Sequence, residues 1–308
     1  MTGTVVAGVD GSPASIAAAH WAAREAERRA ADLRLLRVVP PETGRGAVAA
    51  SAGQDRRTRP GGGSLEEAAV RLRHTYRDVV ITTEEVAANP LPGLVAAGEG
   101  AGLLVLGSGG KNAMSGLLRG SAALGAVSHG RCPVVLVRAG QRSSDEHRPG
   151  SHHCVTPGAP YRDVVLGLDL PRPAERAIAF AFDAASRRCA TLRVIHSWNM
   201  PPPRTLGEAE AEPRPRTGRA AEEAEALETV LGPWRAKFPK VAVVAESVVG
   251  SAAGHLLDAE ADASLLVLGH RAPTRGAGPH IGSVSDSVLH HAMVPVAVIP
   301  HADPEAAG

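Results

Sequence analysis

The sequence predicts an α/β protein built from two tandem, open, parallel five-stranded sheets, each with helices on both faces. Short Val- and Leu-rich runs alternate with longer segments of helical periodicity, which is the order expected of parallel sheets. The same order of segments occurs twice in 308 residues, a length that suits two ordinary domains. Aromatic residues make up only 3% of the chain and hydrophobic residues 44%, so the cores must be built from aliphatic side chains.

The two copies are related by a nearly constant offset. The run "LLVLGSGG" at 103–110 returns as "LLVLGHRA" at 265–272, and the segment 120–138 returns as 282–300. The equivalent glycines Gly107 and Gly269 lie 162 positions apart (269 − 107), whereas Asp10 and Asp169 lie 159 apart (169 − 10), which indicates a three-residue insertion. We therefore predict one domain at 1–140, a polar linker at 141–159 and a second domain at 160–302.

The first copy alternates strands and helices along its whole length, with Ser12 and Pro13 as start signals for the first helix. Polar, Gly- and Pro-rich segments at 40–63 and, in the second copy, at 201–223 are predicted as long loops that act as lids or partner surfaces. The predicted order is strand 4–9, helix 13–31, strand 33–39, helix 64–75, strand 78–86, helix 91–100, strand 103–107, helix 120–130 and strand 133–137.

The last strands of the two copies, Val134–Val137 and Val296–Ile299, are short and apolar and are expected at sheet edges. Unprotected edges favour pairing with another strand. We therefore expect the two halves to associate as an internal pseudo-dimer or the chain to form homo-oligomers, and an unidentified protein partner is expected as well.

Charge and composition argue against several classes of function. The formal net charge is +1, from 33 basic and 32 acidic residues, so no overall field attracts nucleic acid or an anionic membrane. No apolar run approaches the roughly 18 residues of a membrane helix, and the N-terminal segment lacks the features of a signal peptide. The three cysteines (132, 154 and 189) share no zinc or redox spacing. The expected location is the cytoplasm.

Glycines follow the predicted fourth strand in a specific pattern: Gly107, Gly110 and Gly120, with Ser121 beside the last. The loop leaves the carboxyl end of a parallel strand, which is where open α/β sheets bind ligands. Glycines there let backbone N–H groups approach phosphate oxygens, and the helix that follows aims its positive dipole end at the anion. The spacing therefore predicts a polyphosphate site.

Two common phosphate-binding patterns do not fit this loop. A Walker loop requires Ser or Thr after Gly-Lys, but Asn112 follows Gly110 and Lys111. A dinucleotide fingerprint starting at Gly107 would also place Asn112 at its last glycine, and that fingerprint normally follows the first strand.

The chain resembles the universal stress protein family in its nucleotide-binding branch. The resemblance is carried by "VVAGVDGSPAS", "LRLLRVV", "LVLGSGGKNAMSGLLRGSAA" and "VSHGRCPVVLVR" and extends over nearly the whole chain twice. It implies a Rossmann-like, adenine nucleotide alpha hydrolase-like sheet with ATP between the first and fourth strands. Mg²⁺ is an ion that could accompany the nucleotide. The sequence departs from the family where "GSGG" stands for the frequent "GSRG" and "ANP" for "GDP".

The resemblance also implies roles for individual residues of the first copy. Asp10 would contact the adenine or ribose, and Val38 would line the adenine pocket. The phosphates would be held by Gly107, Gly110, Gly120 and Ser121, with Val9, Gly11 and Ser12 flanking the site. The arginine missing from "GSGG" leaves Ser108 to shape the loop, and position alone makes Lys111 and Arg119 candidates for neutralising the phosphate charge.

The second copy keeps part of the pattern. Asp169, Gly269, Gly282 and Ser283 occupy the equivalent positions, whereas Ala272 replaces the second glycine of the loop. An alanine there adds a Cβ that would crowd a phosphate and costs about 1 kcal/mol or more if the position needs a positive φ. Two hypotheses remain open for this copy: a second nucleotide site or a purely structural half.

No catalytic set is evident in the sequence. His129 and His291 fall near the ends of the last helices, where a histidine is favoured by the helix dipole, so we predict capping and assign no catalytic residue. The favoured function is an ATP-binding, nucleotide-dependent regulatory module of the stress response. The alternatives are a nucleotide-free interaction scaffold of the same fold and a slow ATPase.

Overall fold

The computed structural model describes residues 3–41, 64–109, 121–149, 159–199, 216–271 and 281–301. It divides into two compact units. The first contains Met1–Asp145, His270–Ile281 and Met293–Gly308, and the second contains Glu146–Gly269 and Gly282–Ala292. Helices and mostly parallel strands alternate in both, which confirms the predicted α/β class. None of the helices in these described ranges is long and apolar enough to cross a membrane.

The first repeat forms five strands and four helices in alternation. Their bounds are β1 (Val5–Gly8), α1 (Pro13–Arg29), β2 (Leu33–Val39), α2 (Leu65–Thr75), β3 (Ile81–Ala87), α3 (Pro90–Gly98), β4 (Leu103–Ser108), α4 (Ser121–His129) and β5 (Val134–Arg138). The strands are parallel in the order β3-β2-β1-β4-β5.

The second repeat follows the same order, with one large difference in length. Its bounds are β6 (Asp163–Gly167), α5 (Glu175–Arg188), β7 (Leu192–Trp198), α6 (Arg216–Lys237), β8 (Val243–Val249), α7 (Ala252–Ala259), β9 (Ala263–Arg271), α8 (Ser283–His291) and β10 (Val296–His301). The parallel order β9-β6-β7-β8 matches that of the first repeat. Residues 216–223, which the sequence places in a loop, are helical and belong to α6.

The last strand of the second repeat pairs with the last strand of the first repeat, as expected from the two short apolar runs. β10 groups with the first unit and pairs antiparallel with β5, with Val296 opposite Leu136 and Val298 opposite Val134. β5 therefore lies between β4 and β10 and is not an edge strand. The pairing buries the apolar side chains of β5 and β10. It also satisfies backbone N–H and C=O groups that each strand would otherwise expose.

Part of the predicted linker is packed against the second repeat. Ser143–Glu146 form a 3-10 helix, and His147 makes an isolated antiparallel bridge with Tyr161. The two rings are 4.0 Å apart at their centroids, and His147 Nδ1 lies 2.7 Å from the carbonyl oxygen of Ala159. The linker residues His152, His153 and Cys154 lie outside the described residues.

Equivalent ion pairs occur in both repeats. They connect β2 to β3 and α2 to β3 in the first repeat, and β7 to β8 and α6 to β8 in the second. In each repeat, one arginine pairs across neighbouring strands and another joins a helical glutamate to a strand carbonyl. The first-repeat pairs are Arg34–Glu84 and Arg73–Glu66, with Arg73 also bound to the carbonyl of Ile81; their equivalents are Arg193–Glu246 and Arg235–Glu228, with Arg235 bound to the carbonyl of Val243.

A half-buried histidine on α1 gives stability a pH dependence. Burial, reinforced by the charges of Arg24 and Arg71, holds the pKa of His20 below its ordinary value of 6.5. The unfolded chain therefore binds this proton at a higher pH than the folded chain does, so stability should fall as the pH drops from about 6.5 through the lowered pKa. We expect His20→Gln to flatten this part of the profile in urea unfolding between pH 5 and 8. His74→Gln on the exposed face of α2 is the control, and an unchanged profile in His20→Gln would contradict the assignment.

Candidate functional site

The strand order creates a crevice at the carboxyl ends of β1 and β4. These strands are neighbours, with Val5 opposite Leu103 and Ala7 opposite Val105. From β1 the chain crosses through α1 to β2 on one side, whereas β4 and β5 lie on the other side. The order of the strands thus reverses between β1 and β4. Such a switch point is the usual ligand site of an open α/β sheet.

The loop after β1 is fixed by its own side chains. Asp10 Oδ1 accepts a hydrogen bond of 2.9 Å from the backbone N–H of Ser12, and Gly11 has a positive φ of 85°. Ser12 caps α1 by accepting from the N–H of Ser15 at 3.2 Å, and Pro13 opens the helix, as predicted from the sequence. The exposed carboxylate of Asp10 is thereby held next to the positive end of α1.

Ser15 also fixes this loop, although it is not among the residues predicted for the site. Its hydroxyl is fully buried, accepts from the backbone N–H of Asp10 at 3.3 Å and donates to the carbonyl of Ser12 at 2.9 Å. The signal was present in the sequence, since Ser15 follows Ser12 at the three-residue spacing of a helix cap and its partner.

Gly107 brings β4 against the first turn of α1. A Cβ added there would lie 2.5 Å from the carbonyl carbon of Ala14 and 2.6 Å from the backbone nitrogen of Ser15. Backbone atoms cannot move aside as a flexible side chain can, so the glycine is required for this close approach. Strand–helix packing therefore accounts for Gly107, and the close approach holds the end of β4 against the start of α1.

The rest of the predicted phosphate loop is only partly described. Ser108 ends β4 opposite Arg138 and is half-buried, and Ser121 is the first residue of α4. Gly110, Lys111, Arg119 and Gly120 lie outside the described residues, as does the side chain of Ser121.

Val9, predicted to flank the site, directly follows β1, and Val38, predicted to line the adenine pocket, lies near the end of β2. Val9 is buried, and its N–H donates to the carbonyl of Leu36 at 2.8 Å. Val38 is half-buried on β2 and faces α3, since a Cβ at Gly93 would lie 2.7 Å from Val38 Cγ1. Val38 thus belongs to the α3 side of the sheet.

The second repeat keeps the strand geometry at the equivalent crevice but changes the loop after its first strand. The N–H of Leu168 donates to the carbonyl of Ile195 at 3.0 Å, as Val9 does to Leu36, and Asp169 is exposed like Asp10. The helix begins only at Glu175, and its cap Ala174 offers no side-chain hydrogen bond. The loop after β6 therefore lacks the serine cap that fixes the loop after β1.

The remaining predicted residues of the second repeat lie at β9 and α8. Gly269 is half-buried inside β9, and Ser283 is exposed at the start of α8. Gly282 caps α8 with φ −55°, and a Cβ added there would meet no atom within 4 Å. Neither backbone conformation nor crowding requires a glycine at 282, in contrast to Gly107.

The histidines at the carboxyl ends of α4 and α8 form structural contacts within their own helices. His129 Nδ1 lies 2.9 Å from the carbonyl of Gly125 in its own helix, and His290, the neighbour of His291, makes the same contact with Asp286 at 2.8 Å. Across the described ranges, no group of three or more His, Cys, Asp or Glu side chains is arranged to hold a metal ion.

Comparisons with known proteins agree with this architecture. The model of the universal stress protein family matches residues 1–138 and 160–300. A universal stress protein of Mycobacterium tuberculosis strain H37Rv is 32% identical over 299 residues, which cover 96% of this chain and 95% of that protein. A universal stress protein structure from Archaeoglobus fulgidus superposes with a TM-score of 0.62 at 16% identity, covering 96% of this chain and 98% of that one. A putative universal stress protein of Pseudomonas aeruginosa gives 0.60 at 16% identity, with 97% and 93% covered.

The family model accounts for both repeats and the relative for almost the full length of the chain, with the fold shared by the solved structures. The chain therefore belongs to the universal stress protein family, with two tandem copies of the family domain.

Proposed function

We propose that the first repeat binds an adenine nucleotide, ATP, and that the chain acts as a nucleotide-dependent regulatory module of the stress response. The observation that carries the proposal is the switch point between β1 and β4, where the fixed Asp10 loop and the end of β4 meet. The resemblance of the glycine loop to the nucleotide-binding branch of the family supports the same ligand.

We assign different parts of the nucleotide to the two loops. Asp10 would hold the adenosine part, because its carboxylate accepts hydrogen bonds and is exposed at the crevice. The segment from Gly110 to Gly120 would hold the phosphates, and α4, which begins at Ser121, would point the positive end of its dipole at them. Mg²⁺ would accompany the nucleotide with phosphate oxygens and water as most of its ligands, as is usual for this ion.

Occupancy would then act on partners by ordering the loops around the site. A ligand that binds one loop arrangement better than the others shifts the population towards it. The surface formed by these loops would be what an as yet unidentified protein partner recognises.

Replacing the carboxylate of Asp10 tests the proposal. We expect Asp10→Ala to weaken ATP binding at least about tenfold in calorimetric titration, since a hydrogen bond to a charged group contributes roughly 1.5–3 kcal/mol. Asp10→Asn keeps an acceptor for the N–H of Ser12, so a similar loss there would assign the effect to the ligand contact and not to loop disorder.

Asp169→Ala is the matched control, because it removes an equally exposed carboxylate from the equivalent position of the second repeat. Unchanged affinity in Asp10→Ala would contradict the assigned role. Phosphate release that Asp10→Ala abolishes would favour the slow ATPase, and a wild-type protein that binds no nucleotide would favour the scaffold.

A further inference from the structure

The helix α6 of the second repeat is longer than α2, its equivalent in the first repeat. α6 has 22 residues and α2 has 11. The two helices are aligned at their carboxyl ends, since Glu228 and Arg235 of α6 correspond to Glu66 and Arg73 of α2 and make the same ion pair. The added turns, residues 216–226, therefore stand at the amino-terminal end of α6, and we call them the strap.

The strap lies at the carboxyl edge of the second repeat. A helix that leads into a parallel strand starts at the edge where the previous strand ends, so the first turns of α6 come next to the end of β7. By the proposed function this is the edge at which a nucleotide would enter the repeat.

A buried histidine connects the strap to the loop after β6. His196 on β7 is 3% exposed, and its Nε2 lies 3.3 Å from Glu223 Oε2 in the strap. Its Nδ1 lies 3.0 Å from the carbonyl oxygen of Leu168, the residue directly before Asp169. The ring of His196 therefore bridges the strap and the loop after β6.

A second contact covers the end of β7. The guanidinium of Arg219 lies 5.6 Å from the centre of the Trp198 ring, and Trp198 Nε1 donates to Ser247 Oγ at 3.1 Å. Trp198 is 7% exposed, whereas Val39 at the equivalent end of β2 is 42% exposed. Arg219 Nε also lies 3.7 Å from Glu223 Oε1, so this ion pair connects the Trp198 contact to the His196 contact.

We infer that the strap closes the carboxyl edge of the second repeat against nucleotide, so that the chain binds one nucleotide, in the first repeat. This rests on the proposed function. Arg219, Glu223 and His196 are then specificity-determining residues, because they distinguish two copies of the same fold. The uncapped loop after β6 and Ala272 in place of a loop glycine favour the same outcome.

The test compares the full-length wild type with the double variant Arg219→Ala, Glu223→Ala. Amide hydrogen exchange in the absence of nucleotide should show faster exchange of residues 216–226 in the double variant. Calorimetric titration with ATP should give a stoichiometry of one for the wild type and two for the double variant. Combining the double variant with Asp10→Ala should leave one site, which Asp169→Ala then removes.

The control is Glu225→Ala, which removes an exposed carboxylate from the strap itself. It should change neither the exchange rates nor the stoichiometry. Two sites in the wild type, or a double variant that exchanges faster yet still binds one nucleotide, would overturn this inference alone. An absence of ATP binding in both proteins would overturn the proposed function and this inference with it.

Discussion

Val298→Lys should lower the free energy of unfolding by about 3–5 kcal/mol, the cost typical of an uncompensated buried charge. Val298 is 1% exposed in β10 and lies opposite Val134 of β5, which is also 1% exposed. An ammonium group there would be surrounded by aliphatic side chains of both strands. Urea denaturation followed by circular dichroism would show the loss as a lower midpoint.

Val80→Lys is the matched control for this substitution. Val80 is 61% exposed just before β3, so the same change of side chain should shift the midpoint little. If Val298→Lys were as stable as Val80→Lys, the pairing of β10 with β5 would be contradicted.

Gly107→Ala should destabilise the protein by about 1–3 kcal/mol or more, as expected when an atom is forced into a packed site. The added methyl group would overlap the backbone of the first turn of α1 at Ala14 and Ser15. Relief would require β4 and α1 to separate, which would also disturb the loop that holds Asp10. The expected result is a lower unfolding midpoint together with weaker ATP binding.

Gly282→Ala separates these two effects. Residue 282 has an ordinary φ of −55° and free space around its Cβ position, so the same substitution should leave stability within about 0.5 kcal/mol. Equal destabilisation by the two substitutions would contradict the close strand–helix contact at Gly107. If a stable Gly282→Ala variant bound fewer ATP molecules per chain than the wild type, the second repeat would contain a nucleotide site.

Much of the fold could be predicted because it depends on local pattern. β2 occupies the predicted 33–39, and the capped start of α1 follows from Ser12 and Pro13. β3 begins at Ile81 and not at residue 78, because the N–H of Val79 turns back to the carbonyl of Tyr76 before the strand starts. A run of apolar residues does not show where such a turn ends.

The features that could not be predicted depend on contacts between distant parts of the chain. The pairing of the two final strands was expected, but its antiparallel register joins residues far apart in the sequence and has no local signal. The charged, Pro-rich composition of 201–223 is typical of a loop, so the start of α6 within it was not predicted. The contact between Glu223 and His196 has no counterpart in the described part of the first repeat, so the repeat offset does not predict it. The equivalence of Arg73 and Arg235 could have been predicted, because they are separated by the repeat offset of 162 positions (235 − 73).

The candidate site shows the same division. The sequence identified the two loops at the switch point, and the strand order brings their bases together. It did not distinguish a glycine needed for packing, Gly107, from one with free space, Gly282, because both stand beside the same kind of loop. That distinction depends on how closely β4 approaches α1.

The most direct test of the central claim is a calorimetric titration of ATP into full-length wild-type protein that has been shown by denaturing extraction to carry no nucleotide. We expect saturable binding with one site per chain. A demonstrably empty protein that gives no binding heat at millimolar ATP, and shows no change in unfolding midpoint with ATP, would contradict nucleotide binding and leave the chain as an interaction scaffold.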